Sequence, residues 1–307
     1  MIACLCPQRG ESRIRRVIWC LWEPEGTLPG YLRACLRTIE RNAGVPVQLL
    51  TAADIEQFAP RMDPELAARV PRIGQRADYY RAHLLAAQGG MWLDIDAVVF
   101  HDLSFIFDAL QEYELVARCR GGRINNSLLA THPNSPIMKD CIRKQEQLLT
   151  AFEPGDRLHW MALGADILTE SVDDTGKCMF LPYDQVAPIP WKEADRLTSP
   201  YVRPDRVLAL DPVMVMLYNS KFPQWLQTAT EREVLESPIM LARLLRIALG
   251  ESTLVNERRI VDSVGRFLEK AVTVAALASQ RTARTSLSLD APNRFVEGGS
   301  SSNGNAP

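Results

Sequence analysis

The residues best suited to chemistry are two aspartates separated by a single residue, Asp94 and Asp96. They follow the apolar run Met91–Leu93, which predicts a short strand. Alternate side chains of an extended segment share a face, so we expect the two carboxylates to project together while Ile95 turns toward the core. Two carboxylates at the end of a strand suit a hard divalent cation such as Mg²⁺ or Mn²⁺, whose remaining positions water and phosphate oxygens fill.

Two further charged residues precede this pair on a predicted helix. The segment Gln75–Gln88 has helical periodicity, and Gly89 and Gly90 are expected to end it. Asp78 and Arg81 lie three residues apart and therefore on one face of that helix, where they offer an acceptor for hydroxyl groups and a cation for phosphate. Taken alone, such features are typical of a solvated turn and a surface ion pair. Their combination favours one ligand site.

Composition and charge exclude some classes of partner. The chain has 307 residues, of which 47% are hydrophobic, and is long enough to bury a sizeable core. Its formal net charge is -2 and it has no polybasic block, so no nucleic-acid partner is expected. The seven cysteines follow no regular spacing, which predicts reduced structural thiols.

No stretch of the sequence resembles a secretory signal or a membrane span. Arg9, Glu11 and Arg13 precede any apolar stretch long enough to resemble a signal, and the longest later apolar stretch, around Ala271–Ala278, is too short to cross a bilayer. We therefore expect a cytoplasmic protein, either free or attached peripherally to the inner face of the membrane.

The elements that must position these residues alternate between strand and helix. The chain opens with a predicted strand at Val17–Trp22, a helix at Pro29–Asn42, a strand at Val45–Leu50 and a short helix capped by Thr51. This order predicts an α/β fold with a parallel or mixed sheet covered by helices. The later predicted elements are a helix near Leu103–Leu110, a strand at Glu114–Ala117, an apolar stretch at Ser127–Ala130 and a helix at Ser135–Leu149.

The C-terminal part of the chain is predicted to be helical. Ser237 and Pro238 form an N-cap and N1 pair, Gly250 is expected to close that helix, and a longer helix is expected over about Leu254–Ser279. The rest lacks the apolar content to fold. We expect an α/β domain over residues 1–230, a helical extension over 231–280 and a disordered tail over 281–307.

The segment from Arg76 to Asp96 resembles a known family. It is similar to the core pattern A-x-x-D-x-x-R…G-G-x-W/Y-x-D-x-D of glycosyltransferases with a DXD-containing sugar-binding region. That family includes bacterial capsular-polysaccharide synthesis proteins and yeast initiating mannosyltransferases. The matching positions are Asp78, Arg81, Gly89, Gly90, Trp92, Asp94 and Asp96. Weaker similarity at Val17–Trp22 with Pro29, and at Pro182–Trp191, extends the resemblance across roughly two thirds of the chain.

The resemblance implies a GT-A-type nucleotide-binding α/β domain with added C-terminal helices, and a bacterial polysaccharide-synthesis enzyme. The donor would be a nucleoside-diphosphate sugar, first of all a UDP-sugar, used with Mn²⁺ or Mg²⁺. The acceptor would be a glycan, a lipid-linked glycan or another hydroxyl compound, and transfer would retain the anomeric configuration. By the same resemblance Trp19 would lie at the nucleotide base, Asp78 and Arg81 at the donor, Asp94 at the sugar or ribose, and Asp96 at the metal.

Several candidate residues have two explanations. Trp19 is equally well explained as a core aromatic of the first strand. Asn125 and Asn126 would present amides to the donor sugar, or are ordinary turn-forming residues. Asn219 is a candidate late ligand of the metal or of phosphate, although many family members have a histidine near that position and this chain has none there.

Two other functions fit parts of the sequence. An apolar strand that ends in Asp94 and Asp96 also resembles the nucleophile motif of haloacid dehalogenase-type phosphatases, in which Asp94 would be phosphorylated. Asp173 and Asp174 would then supply the further acidic pair, while Asp78 and Arg81 would have no role. The third candidate is a protein that binds sugar nucleotides without catalysis.

Overall fold

A computed structural model describes most of the chain, and it groups the residues through Val261 into one unit and those from Asp262 onward into a second. Of the second unit only Asp262 is described. The predicted tail over 281–307 and most of the predicted helix over 254–279 lie outside the described residues. The described residues are 14–23, 26, 28–70, 72–152, 157–172, 177–259 and 261–262.

The centre of the fold is a six-stranded mixed sheet with the strand order β2-β1-β3-β6-β5-β7. Strand β1 pairs in parallel with β2 and β3, β6 runs antiparallel to both β3 and β5, and β7 runs parallel to β5. A separate pair, β4 and β8, is antiparallel. The predicted α/β class is therefore confirmed. The strands are β1 (Ile18–Leu21), β2 (Val47–Leu50), β3 (Gly90–Leu93), β4 (Ala97–Val99), β5 (Leu115–Arg120), β6 (Arg123–Thr131), β7 (Cys178–Leu181) and β8 (Met214–Met216).

The helices begin and end near their predicted positions in the first half of the chain. Thr51 caps its helix through a reciprocal capping box with Asp54, and Ser135 accepts a hydrogen bond from the Met138 N–H at the start of another. The α-helices are α1 (Gly30–Asn42), α2 (Ala52–Phe58), α3 (Pro64–Ala68), α4 (Ile73–Gln88), α5 (Ser104–Ala109), α6 (Pro136–Thr150), α7 (Ile167–Ser171), α8 (Tyr183–Val186), α9 (Asp205–Leu208), α10 (Gln224–Thr228), α11 (Glu231–Glu236) and α12 (Met240–Ala248). Three shorter turns are a π-helical turn at Ala162–Asp166 and 3₁₀ turns at Trp191–Thr198 and Asn219–Lys221.

The sheet is buried on both faces, because the two sets of alternating side chains pack into two different cores. Met91 and Leu93 of β3 belong to the core that includes α1 and α12, whereas Trp92 between them belongs to the core formed with α4 and α6. Burial on both faces explains why β1 and β3 are continuous apolar runs rather than alternating ones. Among the described residues no helix is both long and apolar enough to cross a bilayer.

Two predictions about element boundaries are wrong. The helix expected to begin at Pro238 begins at Met240, because the Ser237 N–H bonds to the Val234 carbonyl and closes α11 instead. Asn125 and Asn126 lie within β6 rather than before it. The expected end of the helix at Gly250 is confirmed, since that glycine follows α12 with φ of 70°.

Candidate active site

The candidate residues gather at the edge of the sheet where β1, β2 and β3 end. The pairing of Leu93 with Leu128, and a hydrogen bond of 2.8 Å from the Asp94 N–H to the Ser127 carbonyl, bring the start of β6 to this edge. Strand β5 runs in the same direction as β3 and ends there too. In open α/β sheets ligands bind outside the carboxyl ends of the strands.

The expected extended geometry of the aspartate pair is wrong. Strand β3 ends at Leu93, residues 94–96 form a bend, and β4 starts at Ala97. The bend gives the two carboxylates different neighbours: Asp94 accepts from side chains of α4 and β3, and Asp96 accepts from the backbone N–H of Asn219 at 3.4 Å. They remain close enough to repel, because the charge of Asp94 contributes to a raised pKa of Asp96.

Arg81 of α4 connects the predicted site residues. Its guanidinium donates to Asp94 Oδ1 at 3.0 Å and to the Asn126 carbonyl at 2.6 Å, and it forms an ion pair with Asp78 Oδ1 at 3.2 Å. The Asn126 side-chain amide donates to Asp78 Oδ1 at 2.7 Å and closes the ring. We call Asp78, Arg81, Asp94 and Asn126 the Arg81 cluster. Its four members come from three separate elements and were all predicted from the sequence.

Trp92 fixes the orientation of the Arg81 cluster from the adjacent strand. Its indole N–H donates to Asp94 Oδ1 at 2.8 Å, and the Arg81 guanidinium stacks 4.9 Å from the centre of its ring. The glycines before it are required by the backbone: Gly89 and Gly90 have φ of 63° and 92°. A Cβ atom on Gly90 would also collide with Trp19 and Val17.

Asp78 is held in a desolvated position. Its pKa is raised to about 7, chiefly by burial and also by the charge of Asp94, while Arg81 and the Asn126 amide act in the opposite direction. The π-helical turn covers this carboxylate closely, since a Cβ atom on Gly164 would overlap both Asp78 Oδ2 and Asn126 Nδ2. Irregular turns of this kind are frequent at functional sites.

The charge of Asp96 is less neutralised by neighbouring groups than the charge of Asp94. The pKa of Asp96 is raised to about 8 in total. Burial and the charge of Asp94 raise it, and the hydrogen bond from the Asn219 N–H lowers it. Divalent cations such as Mg²⁺ prefer oxygen ligands, which these two carboxylates supply. A bound cation would also relieve the repulsion between them. In the described part of the chain no group of three or more His, Cys, Asp or Glu side chains could hold a metal ion. Asp94 and Asp96 would therefore share such an ion with water and substrate oxygens.

Asn219 lies next to Asp96 but its side chain has other partners. The antiparallel pairing of β4 with β8 brings this residue to the aspartate bend. Its amide oxygen accepts from the Tyr31 hydroxyl and from Gln227 Nε2, the latter at 2.7 Å. Asn219 contacts Asp96 through its backbone N–H, and its side-chain oxygen accepts from two donors, so its role as a metal ligand stays a prediction.

Trp19 and Asn125 also lie apart from the Arg81 cluster. Trp19 is 1% exposed, its indole N–H donates to the Gly89 carbonyl at 2.8 Å, and its ring packs on Phe58. Its position agrees with a core aromatic and leaves no face for a nucleotide base. The Asn125 side-chain oxygen accepts from the Ser127 N–H at 3.0 Å, so it stabilises β6 locally.

Sequence reasoning missed two charged residues at this edge. Arg118 near the end of β5 is buried close to the aspartates, and Glu23, just after β1, forms an ion pair of 2.6 Å with Arg76 of α4. The predicted strand ended at Ala117, one residue too early to include Arg118. The sequence signal that could have found Arg118 is a charged residue directly after the apolar residues of a predicted strand.

Comparisons with known proteins find a partial similarity in fold to several solved structures. No protein-family model matches the chain, and no curated protein matches it. Among solved structures, the apo form of the glycosyltransferase GlyE from Streptococcus pneumoniae TIGR4 is similar at 16% identity and a TM-score of 0.45, over 78% of this chain and 63% of that one. The bifunctional glycosyltransferase WbbM is similar at 11% identity and a TM-score of 0.44, over 84% of this chain and 52% of that one.

A third solved structure, the PaToxG glycosyltransferase, is similar at 12% identity and a TM-score of 0.39, over 78% of this chain and 87% of that one. The matched region thus spans less than two thirds of GlyE and of WbbM. Likeness at this level concerns the course of the chain and assigns no role to any residue.

Proposed function

We propose that this chain is a metal-dependent glycosyltransferase of GT-A type that moves a sugar from a nucleoside-diphosphate sugar to a hydroxyl acceptor. The observation that carries the proposal is the Arg81 cluster beside Asp96. The residues in which the sequence resembles DXD glycosyltransferases meet in three dimensions, at the edge of the sheet where α/β proteins bind ligands.

The Arg81 cluster is proposed to hold the donor sugar. Arg81 already donates to Asp94 and to the Asn126 carbonyl and is ion-paired with Asp78, so its role is to fix Asp78 and Asp94 in position rather than to bind phosphate itself. The fixed carboxylates and the Asn126 amide are then available to hydroxyl groups of the sugar or ribose. Preorganised polar groups of this kind cost no reorganisation during the reaction.

Asp96 and Asp94 are proposed to hold the divalent cation, Mn²⁺ or Mg²⁺. When the glycosidic bond breaks, positive charge develops on the sugar ring and negative charge on the departing diphosphate. A bound cation supplies positive charge beside that leaving group. The pKa of Asp96 is raised by burial and by the charge of Asp94, and a bound cation would offset both effects. By resemblance, transfer retains the anomeric configuration.

The finer identity of the substrates follows from the resemblance alone. We take a UDP-sugar as the donor and a glycan or lipid-linked glycan as the acceptor, with the reaction in the cytoplasm or at the inner face of the membrane. The C-terminal helical extension over 231–280 is a candidate for acceptor contacts.

A ligand screen tests the proposal directly. UDP- and GDP-sugars, each with and without MnCl₂, are screened for thermal stabilisation, because a ligand that binds only the folded state raises its stability by mass action. We expect stabilisation by at least one sugar nucleotide in a Mn²⁺-dependent way, followed by release of its nucleoside diphosphate. Removal of metal with EDTA should abolish release and added Mn²⁺ should restore it.

The same preparation separates the two other functions. Hydrolysis of p-nitrophenyl phosphate that is lost in Asp94→Asn, without any response to sugar nucleotides, would establish the phosphatase instead. Asp173 and Asp174, which that mechanism would use, lie outside the described residues. Nucleotide binding without release or transfer would establish a binding protein.

A further inference from the structure

A second buried arginine lies at the same edge of the sheet without a neutralising partner. Arg118 is 6% exposed. Within the part of the chain that the structure describes, its guanidinium makes neither a hydrogen bond nor an ion pair, and its Nε and Nη1 atoms are enclosed without an acceptor. A buried cation with unsatisfied N–H groups opposes folding. Arg243, which is buried in the same way, donates to two backbone carbonyls, and Arg118 donates to none among the described residues.

The backbone directs Arg118 toward the candidate active site. Its strand, β5, lies between β6 and β7, and Arg118 is opposite Asn125 on β6. The register of the two strands shifts between Ala117 and Arg118, and such bulges re-aim side chains beside active sites. Two strand spacings of about 4.8 Å separate β5 from β3, so a ligand at Arg118 would be a neighbour of the Asp94 and Asp96 carboxylates.

An aromatic surface supports the face of the guanidinium. Arg118 stacks 5.6 Å from the centre of the Tyr183 ring, and Arg120 stacks on the same ring at 4.5 Å. Arg120 Nη1 donates to the Tyr183 hydroxyl at 3.0 Å, and that hydroxyl lies 3.4 Å from the Tyr218 hydroxyl. Stacking occupies the flat face of a guanidinium and leaves its in-plane N–H groups for an oxyanion.

Electrostatic coupling places Arg118 in the field of the aspartates. Its charge lowers the pKa of Asp96, and the charge of Asp94 raises the pKa of Arg118 against the lowering effect of burial. Tyr218 is also the residue before Asn219, whose N–H contacts Asp96. Arg118 and the proposed cation site therefore belong to one electrostatic unit.

We infer that Arg118 is a substrate-binding residue whose guanidinium takes a phosphate or carboxylate group of a substrate beside the Asp94 and Asp96 carboxylates. The inference rests on the proposed function, in which two substrate groups have this chemistry: the diphosphate of the donor and an acidic group on the acceptor. Planar bidentate binding of an oxyanion is the interaction for which a guanidinium is best shaped.

Three variants and three probes test this inference. Arg118→Met removes the charge at similar length, Arg118→Lys keeps the charge without the planar fork, and Arg243→Met is the matched control. Arg243 is fully buried, also has Nε and Nη1 without acceptors, and lies on α12, where its Nη2 donates to the Ser199 and Pro200 carbonyls. Each protein is titrated calorimetrically with UDP, inorganic pyrophosphate and inorganic phosphate in MnCl₂, and its thermal unfolding is recorded.

We expect Arg118→Met to weaken oxyanion binding roughly tenfold or more, since a charge-assisted bidentate contact is lost. Arg118→Lys should recover part of the affinity, and Arg243→Met should bind like the unmodified protein. The melting temperature of Arg118→Met should be unchanged or raised, because an unpaired buried charge is removed. A residue that served only the fold would behave in the opposite way.

The probes separate the two sources of the oxyanion. If Arg118 binds the donor diphosphate, UDP and pyrophosphate both weaken in Arg118→Met. If it binds an acidic acceptor, UDP affinity is unchanged, and phosphate binds the UDP-saturated protein only when Arg118 is present. Unchanged affinity for all three probes overturns the inference even if sugar nucleotides are turned over. Arg118-dependent phosphate binding without any turnover of sugar nucleotides would instead contradict the proposed function.

Discussion

Arg81 and Arg118 are almost equally buried, at 5% and 6% exposure, yet their surroundings differ. Arg81 donates to Asp94 and to the Asn126 carbonyl and forms an ion pair with Asp78, whereas Arg118 has no such partner among the described residues. Arg81 Nε also lacks an acceptor among these residues, but two carboxylates neutralise the Arg81 charge. A buried charge with such partners is part of the folded framework, and one without them at a ligand-binding edge is explained by a ligand. The difference between the two arginines separates the part of the site that the fold needs from the part that a substrate completes.

The largest expected effect is on stability at Arg81. Arg81→Met leaves the enclosed Asp78 and the partly exposed Asp94 without their cation. Breaking a buried pair costs about 3–5 kcal/mol of unfolding free energy. Arg118→Met should show no such loss. Urea unfolding of both variants measures the difference, and equal losses would remove the distinction between the two arginines.

Asp96→Asn is expected to reduce catalysis more than stability. It removes the charge but keeps the shape, and loss of this charge stabilisation should lower kcat on the order of 100-fold or more. Turnover is measured with saturating donor and Mn²⁺, with Asp195→Asn on an exposed turn as the control. A kcat near that of the unmodified protein would remove Asp96 from the proposed cation site.

The raised pKa of Asp78 predicts a pH dependence of stability. Its pKa is about 7 in the folded protein against an ordinary value of 3.8, so the folded state holds this proton more tightly than the unfolded state. The contribution is complete below about pH 4 and lost as pH rises to about 7, with a slope of at most about 1.4 kcal/mol per pH unit. Urea unfolding in EDTA across this range should show a shallower slope in Asp78→Asn. Parallel curves for the two proteins would show that Asp78 is charged throughout.

The smallest expected effect concerns Trp19. Trp19→Phe removes the indole hydrogen bond to the Gly89 carbonyl and should cost about 1 kcal/mol of unfolding free energy. Donor affinity, measured by calorimetry, should not change, because the ring is enclosed in the core. If Trp19→Phe weakened nucleotide binding while stability stayed normal, Trp19 would instead be assigned to contact with the nucleotide base.

Much of the first half of the fold was predictable because its signals are local. The capping pair at Thr51, the glycines that end α4 and the apolar strand β3 all depend on neighbouring residues. Strands β4 and β8 are only three residues long, too short for a periodic pattern, and their pairing is non-local. That pairing brings Asn219 to Asp96. The sequence could predict that the two residues lie close together, but not that they are joined by a backbone hydrogen bond.

The sequence by itself determined the α/β class and indicated Asp78, Arg81 and Asp94 as neighbours, since residue type, spacing and the glycine break all act along the chain. Only the tertiary structure decided how these groups are paired. It turned the expected strand at Asp94 and Asp96 into a bend, enclosed Trp19 in the core, and left Arg118 unpaired beside the aspartates. The burial of a side chain and the pairing of its charge depend on contacts with elements that are distant in sequence. No local sequence pattern could therefore predict them.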